Sequence, residues 1–287
     1  MQQTSRKGLA IPGAIFETIG EPRGLDPDHG YPAIRVVGAG TVGARLLNAL
    51  HRTGVEGDVS FIRMSIGDRS TASAGGTSPA LDGVDLVVLL VSSRETSALQ
   101  AAASLAEAAR DAGALVIAMV VHPTSSGVDA RSATSAIARC VDALILLPVQ
   151  PHASAVSSLL HAYVSATVDG LSEGFAAATP EGADFLDVRS VFAGRREAYI
   201  GMAQAAGTGR AERATAEAIA DLAPVALGDA MGALVLIAGS RLLRLNEIAA
   251  IADQVFAGLP VGASRALGVH YDERLDSALR VTVIAAQ

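Results

Sequence analysis

At 287 residues the chain is long enough for one large domain or two modest ones, each with a sizeable core. Half of it is hydrophobic but only 3% is aromatic, with no Trp, and its net charge is −7; base-stacking and phosphate-backbone recognition of nucleic acid are thereby disfavoured on both counts. The one cysteine, Cys140, excludes an internal disulfide and a thiolate metal cage.

In chain order, residues 1–30 carry Pro12, Gly13, Pro22, Gly24, Pro27 and Gly30 and read as a flexible N-terminal arm, with one short element at Ala14 to Ile19. The first clear strand is Ala33 to Val37, followed at once by Gly38-Ala-Gly40-Thr-Val-Gly43 and a helix to about Thr53. Val59 to Met64 is a second strand, and Ser65 to Gly83 a Ser/Thr/Gly-rich loop. The organising stretch comes next. Val84 to Val91 and Ala114 to Val121 are unalternated apolar runs, as expected of parallel strands buried on both faces. Between them Leu99, Ala102, Ala103, Ala106 and Ala109 recur at helical spacing. A helix from Ala130 to Cys140 and a buried strand from Ala143 to Leu147, ended by Pro148, complete a doubly wound pattern.

Ala153 to Ala178 is the longest helical pattern, interrupted by Gly170 and Gly174; glycines kept in a helix at about 1 kcal/mol each either break it or admit a close neighbour. The remainder has shorter elements: a helix from Val188 to Arg196, a strand from Glu197 to Gln204, and a helix from Arg210 to Ala220. Gly232 to Ala238 is then a strand, Leu245 to Phe256 a helix, and Ser264 to Val269 and Ala278 to Ala285 a pair of strands. The fold class expected is α/β: a Rossmann-like parallel-sheet domain over 31–152, a central core helix over 153–180, and a smaller α+β domain over 181–287. The longest apolar runs are about half a membrane span, and no apolar leader with a cleavage site is present. Direct membrane insertion and export are therefore not expected, and with one cysteine the expected location is cytoplasmic.

Four features bear on chemistry. Gly38, Gly40 and Gly43 sit between a strand and a helix, where a phosphate can approach backbone N–H groups; a tight turn alone needs the same residues. The acidic residue that would meet a ribose about 20 positions on is absent, and Arg63 stands there, keeping a 2′-phosphate reading open. In Ser92-Ser-Arg-Glu-Thr96, Ser92 and Glu95 have capping-box spacing, so Glu95 is expected to cap its own helix where a phosphate would otherwise sit, with Arg94 as a side-chain anion ligand. Asp184 and Asp187 precede a helix and read either as cap and first-turn residue or as a water-orienting carboxylate pair. The six histidines show no metal spacing and suit solvent or loop roles, and no Ser–His–Asp or Cys–His set is present.

Taken together, Leu245-Asn-Glu-Ile-Ala-Ala-Ile-Ala-Asp-Gln-Val255, Ala278-Leu-Arg-Val-Thr-Val-Ile-Ala-Ala286, Val168-Asp-Gly-Leu-Ser-Glu173 and the Asp85–Leu115 unit make the chain resemble the FtsZ branch of the FtsZ/tubulin superfamily from about Ile34 to Ala286. The resemblance implies GTP held between subunits of a head-to-tail filament, with acidic residues of one subunit acting on its neighbour's nucleotide. Asp184 and Asp187 match those catalytic-loop residues, with Gly182 in place of the usual Asn. The nucleotide-holding end departs from the pattern. The glycine-rich signature falls on Arg94 to Gln100, which has no glycine; Met64 to Val84 is too short for the usual helix and phosphate loop; and Ala162 stands where base-contacting polar side chains are usual. The family's adaptor-recruiting C-terminal tail has no expected counterpart after the last strand.

The expectation is therefore an FtsZ/tubulin-like cytoskeletal or cell-division protein with a degenerate site. It binds no metal and no GTP tightly, and by itself is not an active GTPase. It either self-assembles or docks on an FtsZ-type filament. A residual GTPase using Gly38, Gly40, Gly43 and Arg94 is one alternative, and an NAD(P)-dependent oxidoreductase another.

Overall fold

The computed structural model describes residues 11, 13–19, 32–55, 57–67, 81–123, 130–149, 154–173, 185–222 and 225–287. The elements are β1 (Ala14–Ile19), β2 (Ile34–Ala39), α1 (Gly40–Thr53), β3 (Val59–Ile66), β4 (Leu86–Ser92), α2 (Thr96–Asp111), β5 (Leu115–Pro123), α3 (Ala130–Ala138) and β6 (Ala143–Val149). There follow α4 (Ser154–Glu173), α5 (Phe185–Phe192), β7 (Glu197–Ala206), α6 (Arg210–Asp221), β8 (Gly232–Gly239), α7 (Leu245–Ala257), β9 (Ser264–Tyr271) and β10 (Ala278–Ala286).

Every residue of β4 is buried because both its faces are covered. Leu86, Val88 and Leu90 pack with Leu46, Leu47 and Leu50 of α1. Val87, Leu89 and Val91 turn the other way, onto Leu99, Ala102 and Ala106 of α2. The small side chains of α2 let it lie close to the sheet, and the unalternated run in the sequence reflects this double burial. β2, β4, β5 and β6 run parallel, with β3 parallel to β2 on the far side. β1 closes that edge antiparallel to β3, so the short N-terminal element is an edge strand.

The two halves of the chain share one ten-stranded sheet, ordered β1-β3-β2-β4-β5-β6-β7-β10-β8-β9. Their junction is narrow: β6 meets β7 only at Leu144↔Glu197 and Ile145↔Ala198. Behind it one apolar cluster runs across both halves, from Val36 and Leu47 through Val164, Val168 and Leu171 of α4 to Leu234 and Ile284. A separate cluster under α6 and α7 covers the other face of β8 and β10. At Gly170 a Cβ would lie 2.8 Å from Leu236 Cδ1, so this helix glycine admits β8; Gly174 lies outside the described residues.

Three local expectations are corrected. β9 and β10 do not pair with each other: β9 lies parallel to β8 at the edge, and β10 inserts antiparallel between β7 and β8. The nearly wholly apolar β10 gains a partner on each side, whereas β9, exposed at both ends, tolerates the edge. α5 spans Phe185–Phe192 rather than Val188 to Arg196. The Arg195 guanidinium donates to the carbonyls of Ser190 and Val191, 2.7 and 2.6 Å away, and Gly194 turns left-handed at φ 73°, which together end the helix. β6 continues through Pro148 to Val149 beside β5. Among the described residues no helix is long and apolar enough to cross a membrane.

Candidate functional site

All strands but β1 and β10 point the same way, so the sheet has an upper edge, where the parallel strands end, and a lower edge, where they begin. The crevice at the upper edge between β2 and β4 holds the sequence-predicted glycines. Each is accounted for by what surrounds it. A Cβ on Gly38 would lie 2.6 Å from the Gly43 carbonyl oxygen and 2.8 Å from Leu47 Cβ, and one on Gly43 would lie 2.1 Å from the Leu90 carbonyl oxygen. These two residues let α1 lie directly against β2 and β4. Gly40 opens α1 at φ +69°, and a Cβ there would fall 2.1 Å from Glu95 Oε2.

Glu95 fills this crevice. Its Oε1 accepts the backbone N–H of Thr41 at 3.1 Å. Oε2 is buried against Gly40 with no hydrogen-bond partner among the described residues. The carboxylate thus sits at the N-terminus of α1, where the helix presents free N–H groups and partial positive charge. This corrects the expected capping box. Glu95 is the cap residue of α2 but makes no side-chain cap to it, while Ala39, the cap residue of α1, has no side chain able to make one. The carboxylate therefore serves the helix that lacks a capping acceptor of its own. Ser92 ends β4, its Oγ accepting the N–H of Arg94 at 3.3 Å. Ser93 Oγ and His122 Nδ1 share a hydrogen bond of 2.9 Å between the tops of β4 and β5.

Arg94 is exposed beside the crevice, and among the described residues its guanidinium has no ion-pair partner. Arg63 is committed elsewhere, donating to Glu17 Oε2 at 2.7 Å and to Asn48 Oδ1 at 3.1 Å, so it is not held open for a 2′-phosphate. No three of His, Cys, Asp and Glu converge on a metal position among the described residues.

Asp187 lies at the opposite, lower edge, exposed in the first turn of α5. Its helix is tied beneath β4 and β5 by Arg189, which donates to the carbonyls of Asp85 at 3.2 Å and Gly113 at 2.8 Å. Asp184 and Gly182 lie outside the described residues. The structure therefore does not bring Asp187 together with Gly38, Gly40, Gly43 and Arg94 within one chain.

Sequence reasoning missed a buried polar cluster between α4 and the C-terminal strands. Asp169 accepts from Ser165 Oγ at 2.8 Å, and Asp272 accepts from Arg274 Nε at 2.7 Å and lies 3.7 Å from Arg280 Nη2. Burial raises Asp169 above the ordinary carboxylate range. Asp272 is held below it: burial works upward, but the hydrogen bonds and charge of Arg274 outweigh burial. His270 is buried, contrary to the solvent or loop role expected, and burial with the nearby Arg280 pushes its pKa down to about 4. Asp272, Arg274 and Arg280 follow His270 closely in sequence, but Asp169 comes from α4, about 100 residues earlier, so the spacing alone does not show the cluster. Cys140 is also buried; burial and its hydrogen bond to Glu107 push its thiol up to about 11, an unreactive state at neutral pH.

Residues 196–287 match the family model described as FtsZ family, C-terminal domain. Over the whole chain, the fold is similar to that of an empty FtsZ dimer from M. jannaschii, at TM-score 0.76 and 19% identity, covering 91% of this chain and 89% of that one. It is also similar to a CetZ from Methanosaeta thermophila (TM-score 0.68, 15% identity, 89% and 86% covered). A GTPγS-bound CetZ protofilament from Haloferax volcanii matches at TM-score 0.61 and 14% identity, with 88% and 93% covered. The C-terminal third of the chain thus matches the FtsZ C-terminal domain, and the chain has the fold seen in FtsZ and CetZ.

Proposed function

We propose that this protein is a cytoskeletal element that assembles head to tail with its own copies and does so without tight GTP binding. The observation that carries this reading is the Glu95 carboxylate on the N-terminus of α1. A phosphate in that position would meet a like charge at about 4 Å, a repulsion of about 4 kcal/mol at an effective dielectric near 20. The hydrogen bonds of a phosphate-binding glycine loop, about 1.5–3 kcal/mol each, have no glycines to form them between Arg94 and Gln100. The engagement of Arg63 and the same carboxylate count against the dinucleotide reading too. Self-association is supported by the protofilament seen for the similar Haloferax volcanii CetZ.

The test is light scattering of the purified chain with and without GTP, alone and mixed with an authentic FtsZ, together with chromatography of the denatured protein for guanine nucleotide. Nucleotide-free assembly that GTP leaves unchanged supports the proposal. Co-purified guanine nucleotide, or assembly only with GTP, overturns it in favour of a residual GTPase. A signal only in the FtsZ mixture replaces self-assembly by docking, and silence in every mixture removes both.

A further inference from the structure

Arg94 and Asp187 are exposed opposite charges at opposite edges of the same sheet. Arg94 lies two residues past the end of β4, whereas α5, with Asp187 in its first turn, packs against β8 and β9 and reaches the start of β4 through the bond from Arg189 to the Asp85 carbonyl. Copies stacked along the strand direction set the upper edge of one, with Arg94, against the lower edge of the next, with Asp187. The apolar surface agrees with such stacking. Leu186, 66% exposed beside Asp187, Met231 before β8 and Val261 before β9 lie at the lower edge. Leu242 and Leu245, the latter 72% exposed, and Tyr271 at the end of β9 lie at the upper edge. Among the described residues the other exposed large hydrophobics, Ile15 and Ile66, sit on the β1–β3 edge. Apolar side chains left uncovered at both ends mark contact surfaces.

We propose that the longitudinal contact between copies is closed by an ion pair from Arg94 of one protomer to Asp187 of the next, in the place where the family resemblance puts a nucleotide. This rests on the head-to-tail reading above and supplies the partner for each charge. The guanidinium offers five donors in a planar fork that a carboxylate can accept in pairs. Leu186 beside Asp187 adds an apolar contact at the pair, and reversal of either charge places like charges face to face.

The experiment is sedimentation of the full-length chain without nucleotide over a range of concentrations at low salt, for wild type, Arg94→Glu, Asp187→Arg and the doubly reversed variant, with circular dichroism to verify folding. Both residues are exposed, so the variants keep the native fold. Each single reversal is expected to raise the critical concentration at least tenfold. The double reversal, and an equimolar mixture of the two single variants, are expected to return within about threefold of wild type, because only unlike charges then meet. Single variants that assemble like wild type, or a mixture no better than its components, overturn the pair while leaving head-to-tail assembly standing. A wild type that stays monomeric throughout overturns head-to-tail assembly, and the pair with it.

Discussion

Replacing Gly40 by Ala probes the crevice directly. The new Cβ has to occupy a point 2.1 Å from Glu95 Oε2 and 3.0 Å from Ala98 Cβ, on a backbone at φ +69°. The left-handed conformation costs a residue with a Cβ about 1–2 kcal/mol. Glu95 can swing away, but the helix then loses a cap worth about 1 kcal/mol and a charge–dipole attraction of about 0.5 kcal/mol. The expected destabilisation is about 2–4 kcal/mol in the wild type and about 1–2 kcal/mol in a Glu95→Ala background, where only the backbone strain and the Ala98 contact remain. The difference is the coupling between the two positions, and a double-mutant cycle by urea denaturation measures it. Equal cost in both backgrounds would mean that the carboxylate does not lie over Gly40 in solution, and the closed crevice would have to be abandoned.

Three further outcomes follow from the packing and charge of the molecule. Gly43→Ala drives its Cβ into the Leu90 carbonyl oxygen, a backbone atom that cannot swing aside, and should cost at least about 3 kcal/mol in chemical denaturation. Glu95→Ala should cost about 1–1.5 kcal/mol, the same lost cap and charge–dipole attraction; titration with GTP should then show tighter binding than in wild type. For His270, depressed in the fold to about 4 from 6.5, the unfolded chain takes up the proton first as pH falls. Its contribution is intact above pH 6.5 and is lost between pH 6.5 and 4, about 3 kcal/mol in all. Asp169, raised in the fold, acts with the opposite sign, losing stability as pH rises above its ordinary value, so it does not explain a loss on acidification. A pH series of denaturation midpoints should slope upward from 4 to 6.5, and His270→Gln should flatten it.

The parts of the molecule legible in the sequence are those whose cause is local. The run Leu86 to Val91 is apolar because α1 and α2 cover it, and that double burial shows without alternation. The glycines near α1 announce a close approach, although their neighbours, the Leu90 carbonyl and Glu95, cannot be named from spacing. The spacing points Glu95 to the wrong helix for the same reason: its partner Thr41 is 54 residues away, while the capping-box pattern looks three residues back. The pairing of β10 with β7 and β8 was hidden because chain neighbours need not be sheet neighbours. The cluster of Asp169, His270, Asp272 and Arg280 draws on α4, β9, β10 and the turn between the two strands, and no window along the chain contains it.

The contact between β6 and β7 has a mechanical meaning. Two residue pairs carry the ladder across the middle of a sheet whose other seams are five to nine pairs long, so this is its weakest line under shear. Tension along the strands loads the two halves unequally there, and the first yielding is a sliding of one half past the other on the oily surface of α4, with each half still folded. What holds the halves in register at this seam is the packing on α4, with Leu236 seated over Gly170, more than the ladder itself.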